Sequence, residues 1–203
     1  MHHGLREKDL TLDITRRLTA ELRTHELSVT MTREADEFIA LSRRSYVANR
    51  IPADVFVSVH INANRNRHLS GVEVYYPRES VVDAEASFPP YLAPQEVALP
   101  TTTIKRILWD VVLSRSRHQS ARMALAICRA LRNRLGVRCR GVKGARFVVL
   151  REARMPAVLV EVGYITNRPE ASRLASPAYR QSIAQAIAEG LLTYMRDSDS
   201  QRL

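Results

Sequence analysis

No run of about 18 consecutive apolar residues occurs in the chain, so no segment reads as a membrane-spanning helix. Cysteine is scarce. Cys128 and Cys139 are the only two, too few for a disulfide framework or a cysteine-based metal site. Cys128 falls on the apolar face of a predicted helix and reads as buried filler, and nothing in the sequence supports a bridge to Cys139. Aromatic residues are 6% of the chain, and none interleaves with the arginines as a base-stacking platform requires. Acidic side chains are outnumbered 21 to 31 by Lys and Arg, for a net charge of +10. Such a surface favours an anionic partner, and without the stacking platform the reading is a solvated basic surface with no nucleic-acid partner. The opening Met1-His2-His3-Gly4 lacks the apolar stretch of a signal peptide.

What is present suffices for a folded domain. Hydrophobic residues make up 45% of 203, enough for an ordinary core in a single domain with an insertion. Helix-like and strand-like segments alternate, which predicts an α/β domain with a mixed, twisted β-sheet flanked by helices on both faces. Leu10, Ile14, Leu18 and Leu22 recur at a four-residue step and predict an amphipathic helix over 8–25. Leu27 to Met31 reads as a short strand, Phe38 to Asn49 as a helix stopped by Pro52, and Asp54 to His60 and Gly71 to Tyr76 as strands. Residues 77–103 carry five prolines and little periodicity, an insertion rather than a second domain. Helices are expected at Ile104 to Leu113 and Gln119 to Leu135, the latter ended by Gly136. Strands follow at Ala145 to Leu150 and Ala157 to Val162. A final helix carries Tyr179, Ile183, Ile187, Leu191 and Met195, with a polar tail from Asp197.

Two of these strands invite comparison. DVFVSVH (54–60) and AVLVEVG (157–163) are apolar along their length, as strands covered on both faces should be. Each places one ionisable group near its carboxyl end, His60 in the first and Glu161 in the second. Ligands of open α/β sheets collect at the carboxyl ends of strands. If the strands are parallel, both groups project into one crevice. A carboxylate between Val160 and Val162 is costly to desolvate without a partner, so metal, a paired base or catalytic work would account for Glu161. A strand-end Glu facing solvent and a satisfied core histidine are the plainer alternatives.

SVHINAN (58–64), GVEVYY (71–76) and VLREARMPAVLVEVGYITN (149–167) resemble the catalytic domain of zinc-dependent N-acetylmuramoyl-L-alanine amidases. REKDLTLDI (6–14) and TREADEFIALSRRSYVAN (32–49) resemble it too, in the family's order. The resemblance covers nearly all of 1–203 except an insertion at about 77–118. It implies a zinc-activated water that hydrolyses the amide between N-acetylmuramic acid and L-alanine of peptidoglycan. By motif position Glu7 and His60 match zinc ligands and Glu161 matches the catalytic acid/base. That set suits the chemistry, because catalytic zinc takes three N or O ligands and keeps a fourth place for water. The resemblance further implies a periplasmic or extracellular site of action on an anionic wall polymer.

The family pattern opens with a strand ending in Asp-Pro-Gly-His-Gly-Gly, whose histidine is the first zinc ligand. This chain starts past that point, which leaves the first strand and first ligand unmatched, with His2 and His3 as nearby substitutes. A catalytically impaired peptidoglycan-binding or regulatory relic of the same fold is the alternative reading. Some amidases of this class carry, at the place of the 77–118 insertion, a helix that plugs the site until an activator protein removes it. Glu79, Glu85 and Glu96 are the acidic plugs available here. Glu73, alternating with Val72 and Val74, is expected to face outward, and His25, His68 and His118 to be solvated. Arg33, Arg44 and Asn49 are expected to make structural hydrogen bonds, with Asn62 and Asn64 in a rim loop near substrate.

Overall fold

The computed structural model describes residues 3–78 and 102–200, with backbone alone for 102–113 and 199. His2, Glu79, Glu85 and Glu96 lie outside the described residues. Leu10, Ile14, Leu18 and Leu22 do form one buried stripe, along α1 (Glu7–Arg23). Glu7 and Asp9 stand in its first turn and Arg23 in its last, matching the helix dipole. The helix α2 (Leu41–Asn49) precedes β1 (Phe56–Asn62) and β2 (Val72–Pro77). The helix α3 (Thr102–Leu135) follows, then β3 (Cys139–Ala145), α4 (Val148–Arg151), β4 (Ala157–Tyr164), α5 (Arg168–Ala175) and α6 (Pro177–Asp199).

The four strands make one mixed sheet in the order β1-β4-β2-β3. β1 runs parallel to β4, β4 antiparallel to β2, and β2 parallel to β3. Alternation sorts the side chains onto two faces. Ile61, Val72, Val74, Val158, Val160 and Val162 face a core formed with α1, α3 and α6. There Ile14, Ile127, Leu131, Ile183 and Ile187 are fully buried, each contributing about 1.5–3 kcal/mol. The opposite face carries a smaller cluster of Phe56, Ala157 and Leu159 with Ala48 of α2 and Val149 and Leu150 of α4. Helices therefore cover both faces, as expected, but the second cover is short. It leaves the carboxyl-terminal parts of β1 and β4 open on that side.

Several expected elements differ. The strand expected at Ala145 to Leu150 is instead β3 at Cys139–Ala145 followed by the single-turn helix α4. β3 is an edge strand, so it does not need the apolar run that marks a buried one. Leu27 to Met31 joins no sheet. The only backbone hydrogen bond across elements that this stretch makes, among the described residues, is from Leu27 N–H to the Leu22 carbonyl. With β1 it lines a groove of about 940 Å³ whose walls include Glu7 and His60. The two helices expected between 104 and 135 are one, and residues 102–118 of the expected insertion form its first half. The helix α5 was not anticipated. It is capped by Asn167, whose side chain accepts from Glu170 N–H, with Pro169 in the first turn. Finally, Cys128 is buried as expected but is not mere filler: it is bridged to Cys139, tying α3 to β3 across a Cα–Cα distance of 6.0 Å.

Candidate active site

The register of the sheet builds a row of polar side chains across its open face. His60 is paired with Glu161 across β1 and β4, and Glu161 is paired with Glu73 across β4 and β2. Paired residues share a face, with Cβ atoms on the order of 5 Å apart. The condition that His60 and Glu161 enter one crevice, parallel strands, is met.

Glu7 completes one end of the row from a different element. The first turn of α1 brings its Oε1 to 2.9 Å from His60 Nδ1 and 3.3 Å from the Ile61 N–H, which donates to it. The other ring nitrogen of His60 lies 3.1 Å from Ser58 Oγ. Burial by itself would raise the Glu7 pKa. The hydrogen bonds from His60 and Ile61 and the charges of His60 and Arg44 outweigh it and hold the carboxyl below its ordinary value. Arg33 keeps the turn in place by donating to the Lys8 carbonyl and Thr11 Oγ1, while Arg44 donates to the Ile39 carbonyl. These are the structural roles expected of both arginines. Asn49 fills its expected role too, donating to the Glu152 carbonyl and accepting from Arg154 N–H.

Glu161 is in the opposite electrostatic situation. Burial pushes its pKa up to about 7; the charge of His60 lowers it, while Glu7 and Glu73 add to the rise. Its Oε2 is buried with no hydrogen-bond partner among the described residues. A buried polar atom without a partner needs a physical account, and an absent water, substrate or ion supplies one. Three carboxylates and one imidazole thus stand along the row, with Glu7 held ionised and Glu161 poised near neutrality.

The donor chemistry fits zinc in part. A carboxylate oxygen and an imidazole nitrogen within 3 Å of each other are zinc-type ligands. Among the described residues no group of three or more His, Cys, Asp or Glu side chains could hold a metal ion, so the pair supplies two ligands of the three that catalytic zinc takes. His3 is exposed, and His25, His68 and His118 are exposed as expected.

Glu73 corrects the sequence reading. It is not outward-facing into solvent but 4% exposed. Lys143 Nζ donates to its Oε1 at 2.8 Å, and Tyr75 Oη and Asn62 Nδ2 donate to its Oε2 at 2.5 and 3.4 Å. Burial again pulls the pKa upward and is outweighed, chiefly by Lys143 and Tyr75, so Glu73 stays ionised. Alternation with valines identified the face correctly, but not the side chains that close over it. Lys143 sits in the polar stretch CRGVKGA, which the sequence reading had not assigned to a strand. Asn62 thus serves Glu73, while the Asn64 N–H donates to Thr166 Oγ1 at the rim.

A family model described as N-acetylmuramoyl-L-alanine amidase matches residues 1–193. The chain is 31% identical over 210 residues to the N-acetylmuramoyl-L-alanine amidase AmiA of Escherichia coli, covering 98% of this chain and 72% of that protein. It is similar in structure to the amidase AmiC2 of Nostoc punctiforme, with a TM-score of 0.72, 32% identity and coverage of 96% and 87%. The amidase from Clostridium difficile 630 is similar too, with a TM-score of 0.74, 27% identity and coverage of 96% and 86%. Sequence match, relatives and fold agree that this chain belongs to the N-acetylmuramoyl-L-alanine amidase family.

Proposed function

We propose that Glu161 is the proton-transfer group, and that Glu7 and His60 are two zinc ligands, of this amidase, which hydrolyses the amide between N-acetylmuramic acid and L-alanine in peptidoglycan. The observation that carries the reading is the unpartnered Oε2 of Glu161, buried next to His60, on a carboxyl whose pKa is raised to about 7. A carboxyl so tuned can take a proton and return it near neutral pH. Zinc bound at Glu7 and His60 would polarise the scissile carbonyl and lower the pKa of its water to about 7. Glu161 accepts a proton from the attacking water as the water oxygen bonds to the lactyl carbonyl carbon. It then donates that proton to the nitrogen of L-alanine as the C–N bond breaks. Glu7, held ionised, is ready to act as an anionic ligand beside His60 Nδ1, and the contact of the other ring nitrogen with Ser58 Oγ orients the ring.

The test is Glu161→Gln on purified cell wall, following the appearance of free L-alanine amino termini. The expected loss is on the order of a hundredfold or more, with zinc content unchanged. Hydrolysis at the parental rate would overturn the assignment. One observation favours a second reading, a wall-binding relic: the third metal donor is not found among the described residues. Co-sedimentation with wall, without hydrolysis at any zinc concentration, would support it. The wall substrate further points to action in the periplasm or outside the cell. An activator acting on the 77–118 insertion of the 1–203 domain is tested by deleting residues 80–100; unchanged activity would exclude autoinhibition by that segment.

A further inference from the structure

Beyond Glu161 the row ends in positive charge that the hydrolytic step does not use. Lys143 and Arg140, both on β3, converge on the single carboxylate of Glu73, at 2.8 and 3.3 Å from its Oε1. One buried anion is shared by two cations, so the cluster keeps a net positive charge. Neither cation is spent. The Lys143 side chain is 45% exposed, and one of its three donors is used on Glu73. Arg140 Nε is buried and makes no hydrogen bond among the described residues, despite its proximity to Glu73. A cationic pair anchored from below by a buried carboxylate, with side chains 45% exposed at Lys143 and 29% at Arg140, can receive an anion.

We infer that Arg140 and Lys143 form a subsite for a free carboxylate of the stem peptide, on the side of Glu161 away from His60. This rests on the amidase reading and adds the direction of the substrate to it. Strand spacing supplies the scale. Glu73 lies one strand from Glu161, and β3 one strand further, so the cations stand about 5–10 Å from the reacting amide. An extended chain covers about 3.3–3.6 Å per residue. The residue that follows L-alanine therefore reaches β3 when the stem runs across the sheet. In peptidoglycan that residue is a glutamate joined through its side-chain carboxyl, and its α-carboxylate is either free or amidated. A free carboxylate would pair with Lys143 and Arg140, and a carboxamide would lose the charge. The two cations would thus select between these wall chemistries, and the glycan strand would lie toward His60.

The experiment is calorimetric binding of L-alanyl-D-glutamate γ-methylamide, whose side-chain carboxyl is blocked as in the wall, and of its α-carboxamide to the full chain, which needs no turnover. The free carboxylate is expected to bind about tenfold more tightly, in line with a charge-assisted pair. Lys143→Gln and Arg140→Gln should each abolish most of that preference, and Lys143→Arg should keep it. Equal affinity for the two peptides in the parent chain overturns the subsite, as does failure to bind either at millimolar concentration. A Lys143→Gln chain that weakens both peptides alike also overturns it, since that is what a loosened Glu73 would do. Glu161→Gln separates this inference from the catalytic one: it should retain the preference, so hydrolysis by that variant would sink the mechanism and leave the subsite standing.

Discussion

Glu161 and His60 stand side by side in the parallel register of β1 and β4, one strand apart, on the sheet face that the smaller helical cover leaves open. Burial nonetheless desolvates this carboxyl on its strand, with a pKa of about 7 against an ordinary 4.5. Between those two values the folded chain holds a proton on Glu161 that the unfolded chain has released. Stability therefore falls as pH rises from about 4.5 to about 7, and the penalty persists above that. Glu161→Gln should remove it, raising the stability of the metal-free chain at pH 8 by on the order of 2 kcal/mol. At pH 4 the variant and parent should match. Urea titrations at the two pH values check this, and an equal difference at both would show that Glu161 is not tuned by burial.

Metal binding should be visible as stability before it is visible as activity. Zinc that binds the folded chain alone raises its melting temperature by mass action. With excess zinc we expect a rise of several degrees in the parent chain and essentially none in His60→Ala or Glu7→Gln. Calorimetric melts with and without chelator measure it. The same rise in the His60→Ala chain would place the metal elsewhere.

Gly190 lies where α6 crosses α3, and a Cβ there would come within 2.5 Å of Ile127 Cα. Alanine is the better helix former by up to about 1 kcal/mol, but backbone cannot yield as a side-chain tip does. Gly190→Ala is expected to destabilise by about 1–3 kcal/mol net of that propensity gain. A neutral or stabilised variant in denaturant titration would mean the helices separate more easily than their contact suggests.

The bridge between Cys128 and Cys139 closes a segment with a sequence separation of 11. Closing a loop of that size should stabilise by about 2–3 kcal/mol through the unfolded state. Reduction, or Cys128→Ser, should lower the denaturation midpoint correspondingly while leaving wall hydrolysis intact. Loss of hydrolysis on reduction would tie the bridge to the site through β3.

The parts legible in the sequence were those whose burial is continuous. DVFVSVH and AVLVEVG are central or covered strands, and their apolar runs revealed both the strands and the ionisable group near each carboxyl end. β3 was not legible because no residue of it is fully buried: Lys143 is exposed and Arg140 half-buried, so CRGVKGA has no burial pattern to read. The neighbouring Ala145 to Leu150 looked more like a strand, yet Val149 and Leu150 are buried by a helical turn and Phe147 is 39% exposed. Glu73 was misjudged for a related reason. Its immersion comes from Lys143, Tyr75 and Asn62, side chains on three strands, and no local window contains that geometry. The short α5 was missed although Asn167, Pro169 and Glu170 carry a cap-and-first-turn pattern. Glu170 was less foreseeable, since its carboxylate accepts from both Gly71 and Tyr164 N–H and so joins β2 to β4.

The sheet assigns opposite tasks to its two sides. On β1, β4 and β2 the ionisable groups His60, Glu161 and Glu73 leave by one surface, while Ile61, Val160 and Val74 leave by the other into the main core. Because strand side chains alternate strictly, a change of substrate preference can be written on the first surface without disturbing the foundation beneath it. The same residues could then drift toward new wall chemistries at little risk to folding, whereas insertion of one residue into β4 would exchange the two surfaces and forfeit both.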